Sequence, residues 1–241
     1  MAPLTISLPL LLAAMCFHCA TRLQADEPLV LENQMIRGEW MRDVGRIASL
    51  SLTNKHSGQT VRLETGYLPC IVLGDGREIH LAALTPTTAA HQKGNTLVAS
   101  FEDDLAGLEI HWSAVLRDGV NYLVQSLQLT AGRDTKIEEL IFVDAPIDEA
   151  KQLGQVDGSV VVCGDVFLAV EHPLARNTVG KGSQVRCALP RGNVLRAGRT
   201  WCYTSVFGAV RSGQLRRDFL AYLERRRAHP YRPFLHYNSW Y

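Results

Sequence analysis

Apolar and polar residues alternate with a period of two from about residue 26 to about residue 210. Leu108, Ile110, Trp112, Ala114 and Leu116 stand against Glu109, His111 and Ser113, which is the pattern of a strand with one buried face. The run reaches Arg117-Asp118-Gly119, and alternation resumes from Val120 to Leu129. Asp118-Gly119 therefore predicts a two-residue type I′ hairpin turn, in which both positions take positive φ. By the same logic Asp75-Gly76 turns the chain after Ile71-Val72-Leu73, and Asp157-Gly158 precedes a strand at Val160-Val161-Val162. Leu50 and Leu52 among Ser49, Ser51 and Thr53 predict another strand, as do Leu97, Ala99 and Phe101.

At least a dozen such strands, with no helical pattern long enough for a crossover, predict antiparallel sheets packed face to face. The expected fold is all-β: a large two-sheet antiparallel sandwich over residues 26–211, without internal repeats. The pattern changes at Ser212. From there Leu215, Phe219, Tyr222 and Leu223 fall on one helical stripe, with Ser212 placed to cap the start and Pro230 and Pro233 placed to end it. This predicts a linker helix within 212–229. The basic run Arg225-Arg226-Arg227 suits a helix C-terminus, whose dipole favours cations, better than an anionic lipid or nucleic-acid surface.

The uncharged stretch Ala2 to Phe17 has the length of a signal-peptide apolar region and is too short to span a bilayer. Cleavage after Ala25 leaves a chain beginning Asp26-Glu27-Pro28, exported to a periplasmic or extracellular address with no stable membrane insertion; a short membrane anchor is the alternative. Removing residues 1–25 takes Arg22 from the 25 basic residues and none of the 24 acidic ones, so the formal charge falls from +1 to zero. Nothing in that balance attracts nucleic acid. Cys16-x-x-Cys19 lies inside the removed peptide and carries no function there. Cys70, Cys163, Cys187 and Cys202 remain, an even number that suits disulfides in an oxidising compartment and equally suits buried thiols.

Signatures of catalysis are missing. There is no Gly-x-Ser-x-Gly, His-Glu-x-x-His or Walker loop, and Gly180-Lys181-Gly182-Ser183 lacks the earlier glycine of a phosphate cradle. No cofactor, metal site or catalytic residue is assigned. Glu109 and His111 share a face, which the apolar set opposite them marks as the solvent side. Glu171-His172-Pro173 follows the apolar strand Val166 to Val170. Neighbours on a strand point to opposite faces, so Glu171 and His172 line one cleft only if Pro173 breaks the pleat. The two readings are a strand end whose His and Glu tie down a loop, and direct contact with substrate.

The stretch Phe167-Leu168-Ala169-Val170-Glu171-His172-Pro173, the helix ending near Arg227, and Arg232-Pro233-Phe234-Leu235-His236-Tyr237-Asn238-Ser239-Trp240 together resemble the amino-terminal half of α-galactosidase-like glycoside hydrolases. The resemblance implies a galactose-mutarotase-like β-supersandwich followed by a (β/α)8 barrel. Residues 230–241 would then be the first strand of a barrel that the chain does not continue. Asn238 and Trp240 would lie at that strand's carboxyl end, where barrel active sites are built. On this carry-over Asn238, Trp240, Glu171 and His172 are substrate-proximal candidates. The nucleophile and acid/base aspartates of the family lie on later strands and have no counterpart here. The expected role is a non-catalytic, carbohydrate-associated sandwich, partner to a missing C-terminal barrel domain; a stand-alone carbohydrate-binding module and a secreted structural domain are the alternatives.

Overall fold

The computed structural model describes residues 27–43 and 46–229. The expected signal peptide and residues 230–241, with Asn238 and Trp240, lie outside the described residues. Within them the chain runs through β1 (Leu29–Glu32), β2 (Ile36–Asp43), β3 (Arg46–Asn54), β4 (Thr60–Leu63), β5 (Cys70–Leu73), β6 (Glu78–His80), β7 (Thr88–Lys93), β8 (Thr96–Asp103), β9 (Leu108–Val115) and β10 (Tyr122–Ala131). It continues through β11 (Thr135–Pro146), β12 (Ala150–Leu153), β13 (Val160–Cys163), β14 (Val166–Val170), β15 (Arg176–Val179), β16 (Gln184–Leu195), β17 (Thr200–Ala209) and the helix α1 (Leu215–Arg226).

All strand pairs are antiparallel, as the alternation predicts. One sheet of eight strands, in the order β12-β13-β14-β17-β10-β9-β8-β7, forms one layer of the sandwich. Facing it, the second layer is divided into a four-stranded sheet, β1-β2-β3-β4, and a five-stranded sheet, β15-β16-β11-β5-β6. One continuous core joins them, with Trp40 of β2 edge-to-face on Trp112 of β9 at 6.2 Å. Alternation identifies buried faces but not strand partners, so the division of the second layer is visible only in the structure.

Strand β14 is buried at all five residues. Val166, Leu168 and Val170 face the sandwich core, and Phe167 and Ala169 face a second cluster beneath α1. Two covered faces are why this strand reads as an unbroken apolar run rather than an alternating one. Gly208 lies opposite Phe167 in the β14–β17 ladder, and a Cβ added there would overlap the Phe167 ring. Gly208→Ala is expected to destabilise the chain by about 1–3 kcal/mol through overpacking. The double variant with Phe167→Leu, compared by urea denaturation, should recover part of that loss.

Two local expectations are corrected. Val115 pairs with Val124, so the connection around Asp118-Gly119 is longer than a two-residue turn, and only Gly119 has positive φ. The long-range cause is Asn33, whose side-chain amide donates to the Arg117 and Val120 carbonyls at 2.8 Å each. Ser212 does not cap α1: its hydroxyl bonds the Asp165 carboxylate, and the helix begins after Gln214 without a side-chain cap. Asp218 in the first turn instead accepts from the Arg211 backbone N–H at 2.9 Å and from its Nε at 3.0 Å. Cys70, Cys163 and Cys187 are buried free thiols and Cys202 is exposed. Among the described residues, no helix is long and apolar enough to cross a membrane.

Candidate functional site

The end of β14 gives its two polar residues different partners. Glu171 continues the face of Phe167 and Ala169, toward α1, and its backbone N–H still donates to the Thr204 carbonyl of β17 at 2.8 Å. Its carboxylate accepts from the Tyr222 hydroxyl at 2.7 Å and from Arg226 Nε and Nη2 at 2.7 and 2.5 Å. Burial alone would raise the Glu171 pKa, but the hydrogen bonds from Arg226, Tyr222 and Thr204 outweigh it and hold the carboxyl below its usual range. Beside this lock lies a hollow of about 570 Å³, lined by Val160, Ala169, Pro173, Phe219, Leu223 and Arg226 among others. Tyr222 and Arg226 occupy the Glu171 oxygens, and no second carboxylate is among the residues lining the hollow. Paired carboxylates facing one bond, the requirement of glycoside hydrolysis, are therefore not assembled there.

His172 also lines the hollow. Its Nδ1 accepts from the Leu174 backbone N–H at 3.1 Å, and its ring lies 6.2 Å from Tyr203 at 70°. Tyr203 is in turn edge-on to Trp201 at 6.2 Å. The Arg191 guanidinium, from β16 in the facing layer, sits 4.9 Å from the Trp201 ring centre and 5.2 Å from that of Tyr203. Strand register explains why these rings reach solvent. β14 ends opposite Ser205, so from Tyr203 back to Thr200 one edge of β17 has no neighbouring strand. Trp201 and Tyr203 face the core side but are left half-buried at its open end.

Behind the rings the interior is polar at one spot. The Trp112 indole donates to Gln125 Oε1 at 2.9 Å, and Gln125 lies opposite Ser205 across β10 and β17. Gln125 Nε2, Ser205 Oγ and Arg191 Nε are buried and have no protein partner. A row of two aromatic rings, an arginine and a histidine can hold a polyhydroxylated ring, with C–H groups against the aromatics and hydroxyls toward the donors.

Glu171 and His172, both singled out from the sequence, are thus brought to one strand end, where both line the hollow, the carboxylate bonded to α1 and the imidazole ring near Tyr203. Trp201, Tyr203 and Arg191 were missed. Their signal was present in the alternation Trp201-Cys202-Tyr203, but not the early end of β14 that exposes them.

No family model matches the chain, and no curated protein matches it. Among solved structures, an α-N-acetylgalactosaminidase from Bifidobacterium bifidum superposes with a TM-score of 0.56 at 11% identity, over 82% of this chain and 39% of that one. The chain shares its sandwich fold. An α-galactosidase from Lactobacillus brevis gives 0.50 at 11% identity, over 82% and 41%. A polysaccharide lyase gives 0.51 at 13% identity, over 79% and 34%. The chain therefore spans between 34% and 41% of the length of these three structures.

Proposed function

We propose that this chain is the sandwich portion of an exported carbohydrate-active enzyme of the α-galactosidase-like type, and that it contributes a sugar-contact surface rather than the bond-breaking carboxylates. The observation that carries this reading is the half-buried row of His172, Tyr203, Trp201 and Arg191 at the open end between the layers. Arg191 steadies both rings by cation–π contact. The fold supports the same class, since two glycosidases and a lyase, enzymes of different chemistry, share it with this chain. In this reading residues 1–25 are removed on export. Residues 230–241 lead from α1 toward a barrel domain, with Asn238 and Trp240 on its substrate side.

Calorimetric titration with galactose, N-acetylgalactosamine and mannose tests it. At least one sugar is expected to bind, and Trp201→Ala should weaken it about tenfold, the loss that corresponds to about 1.4 kcal/mol. Binding unaffected by Trp201→Ala would place sugar contact elsewhere and defeat the proposal. A stand-alone carbohydrate-binding module accounts for the same row. DNA beyond the Tyr241 codon separates the two readings: the enzyme reading requires a coding continuation with barrel periodicity and paired acids, and the module requires none.

A further inference from the structure

On the far side of the five-stranded sheet, away from the sugar-contact row, the β5–β6 hairpin brings three side chains of different chemistry together. Its register places Cys70 opposite His80 and Val72 opposite Glu78. Ile71 and Ile79 between them point into the core, so Cys70, Glu78 and His80 share the outer face. His80 Nε2 lies 2.8 Å from Glu78 Oε2 and 3.9 Å from Cys70 Sγ, and the three ligand atoms all fall within 4.8 Å of one another. We propose that Cys70, Glu78 and His80 bind a divalent cation of the zinc class.

The donor set is a thiolate, an imidazole and a carboxylate, each a zinc ligand, at bond lengths of about 2.3, 2.0–2.1 and 2.0–2.2 Å respectively. Tetrahedral angles at those lengths separate neighbouring donor atoms by about 3.5 Å. The observed 2.8 and 3.9 Å lie on either side of that spacing, and Glu78 and His80 are exposed side chains. Two further observations point to a bound ligand. A hollow of about 380 Å³ opens over the three residues, lined also by Thr65, Asp144, Gln184 and Arg186, and gives a fourth coordination position access to solvent. The charge around Cys70 is negative: Glu78, Asp144 and Glu139 act on it against one cation, Arg186, which is itself shared between Glu139 and Asp144 at 2.5 Å each. Binding replaces the Cys70 S–H bond by a sulfur–metal bond and releases the proton to solvent, so uptake is expected to strengthen as pH rises.

The test uses the full chain with Cys16→Ser and Cys19→Ser, kept reduced, so that the first two thiols contribute nothing. Titration with Co²⁺ should bring up a thiolate-to-cobalt charge-transfer absorption that saturates at one equivalent and is abolished by Zn²⁺. Cys70→Ser should remove the band. His80→Ala, an exposed position whose loss leaves the core intact, should weaken Co²⁺ binding by about tenfold or more. Cys202→Ser should change nothing. Absence of the band, its survival in Cys70→Ser, or unchanged affinity in His80→Ala would overturn the site.

Discussion

Phe167→Ala is expected to cost about 3–5 kcal/mol of stability and to loosen α1 from the sheet. Phe167 is fully buried, edge-on to Phe219 at 5.1 Å and 5.3 Å from Tyr222. It is one of the contacts through which the eight-stranded sheet holds the helix, beside Tyr122 on Tyr222 and the Glu171–Arg226 pair. Truncation leaves a cavity between Gly208 and α1 that β17, held in its ladders, does not move to close. Urea denaturation measures the first effect, and hydrogen exchange across residues 215–226 measures the second. A loss under about 1 kcal/mol with unchanged helix protection would mean that α1 is held by something other than this ring.

Glu171→Ala should cost about 1.5–3 kcal/mol near neutral pH, the range for hydrogen bonds to a charged group. The carboxylate side chain is only 10% exposed, while that of Arg226 is 36% exposed and partly screened by solvent. That screening keeps the effect below that of a fully buried pair. The pH dependence follows from the sign of the shift. The folded Glu171 carboxyl is held below its unfolded value, so its contribution is complete above the ordinary carboxylate range and is lost as pH falls through the depressed folded value. The stability difference between wild type and Glu171→Ala should therefore be largest at neutral pH and shrink in acid. A difference constant down to strongly acidic pH would show that the ion pair does not hold the helix.

Much of the architecture is legible in the residues themselves. Leu108 to Leu116 and Val120 to Leu129 read as strands because their cores are single-faced, and α1 reads as a helix because Leu215, Phe219 and Tyr222 recur on one stripe. What fails is what depends on distant partners. Asn33 widens the loop at Asp118-Gly119 from 84 residues away. Asp165 takes the Ser212 hydroxyl that local pattern assigns to the helix N-terminus. The candidate sites behave the same way. Glu171 and His172 are conspicuous as a polar pair after an apolar run, and with Pro173 they line one hollow at the strand end. Trp201 and Tyr203 become a surface only because β14 stops opposite Ser205. Cys70 and His80 are ten residues apart and meet only through the register of a hairpin, so no spacing motif announces them.

A sugar is proposed to rest on the Trp201–Tyr203 row. The most direct test is to follow the indole N–H signals of the ¹⁵N-labelled chain by NMR during titration with galactose, N-acetylgalactosamine and mannose. The predicted result is a saturable shift of the Trp201 signal with at least one sugar, while the buried Trp40 and Trp112 signals stay in place. A Trp201 signal that stays fixed through the whole titration with every sugar would contradict the account.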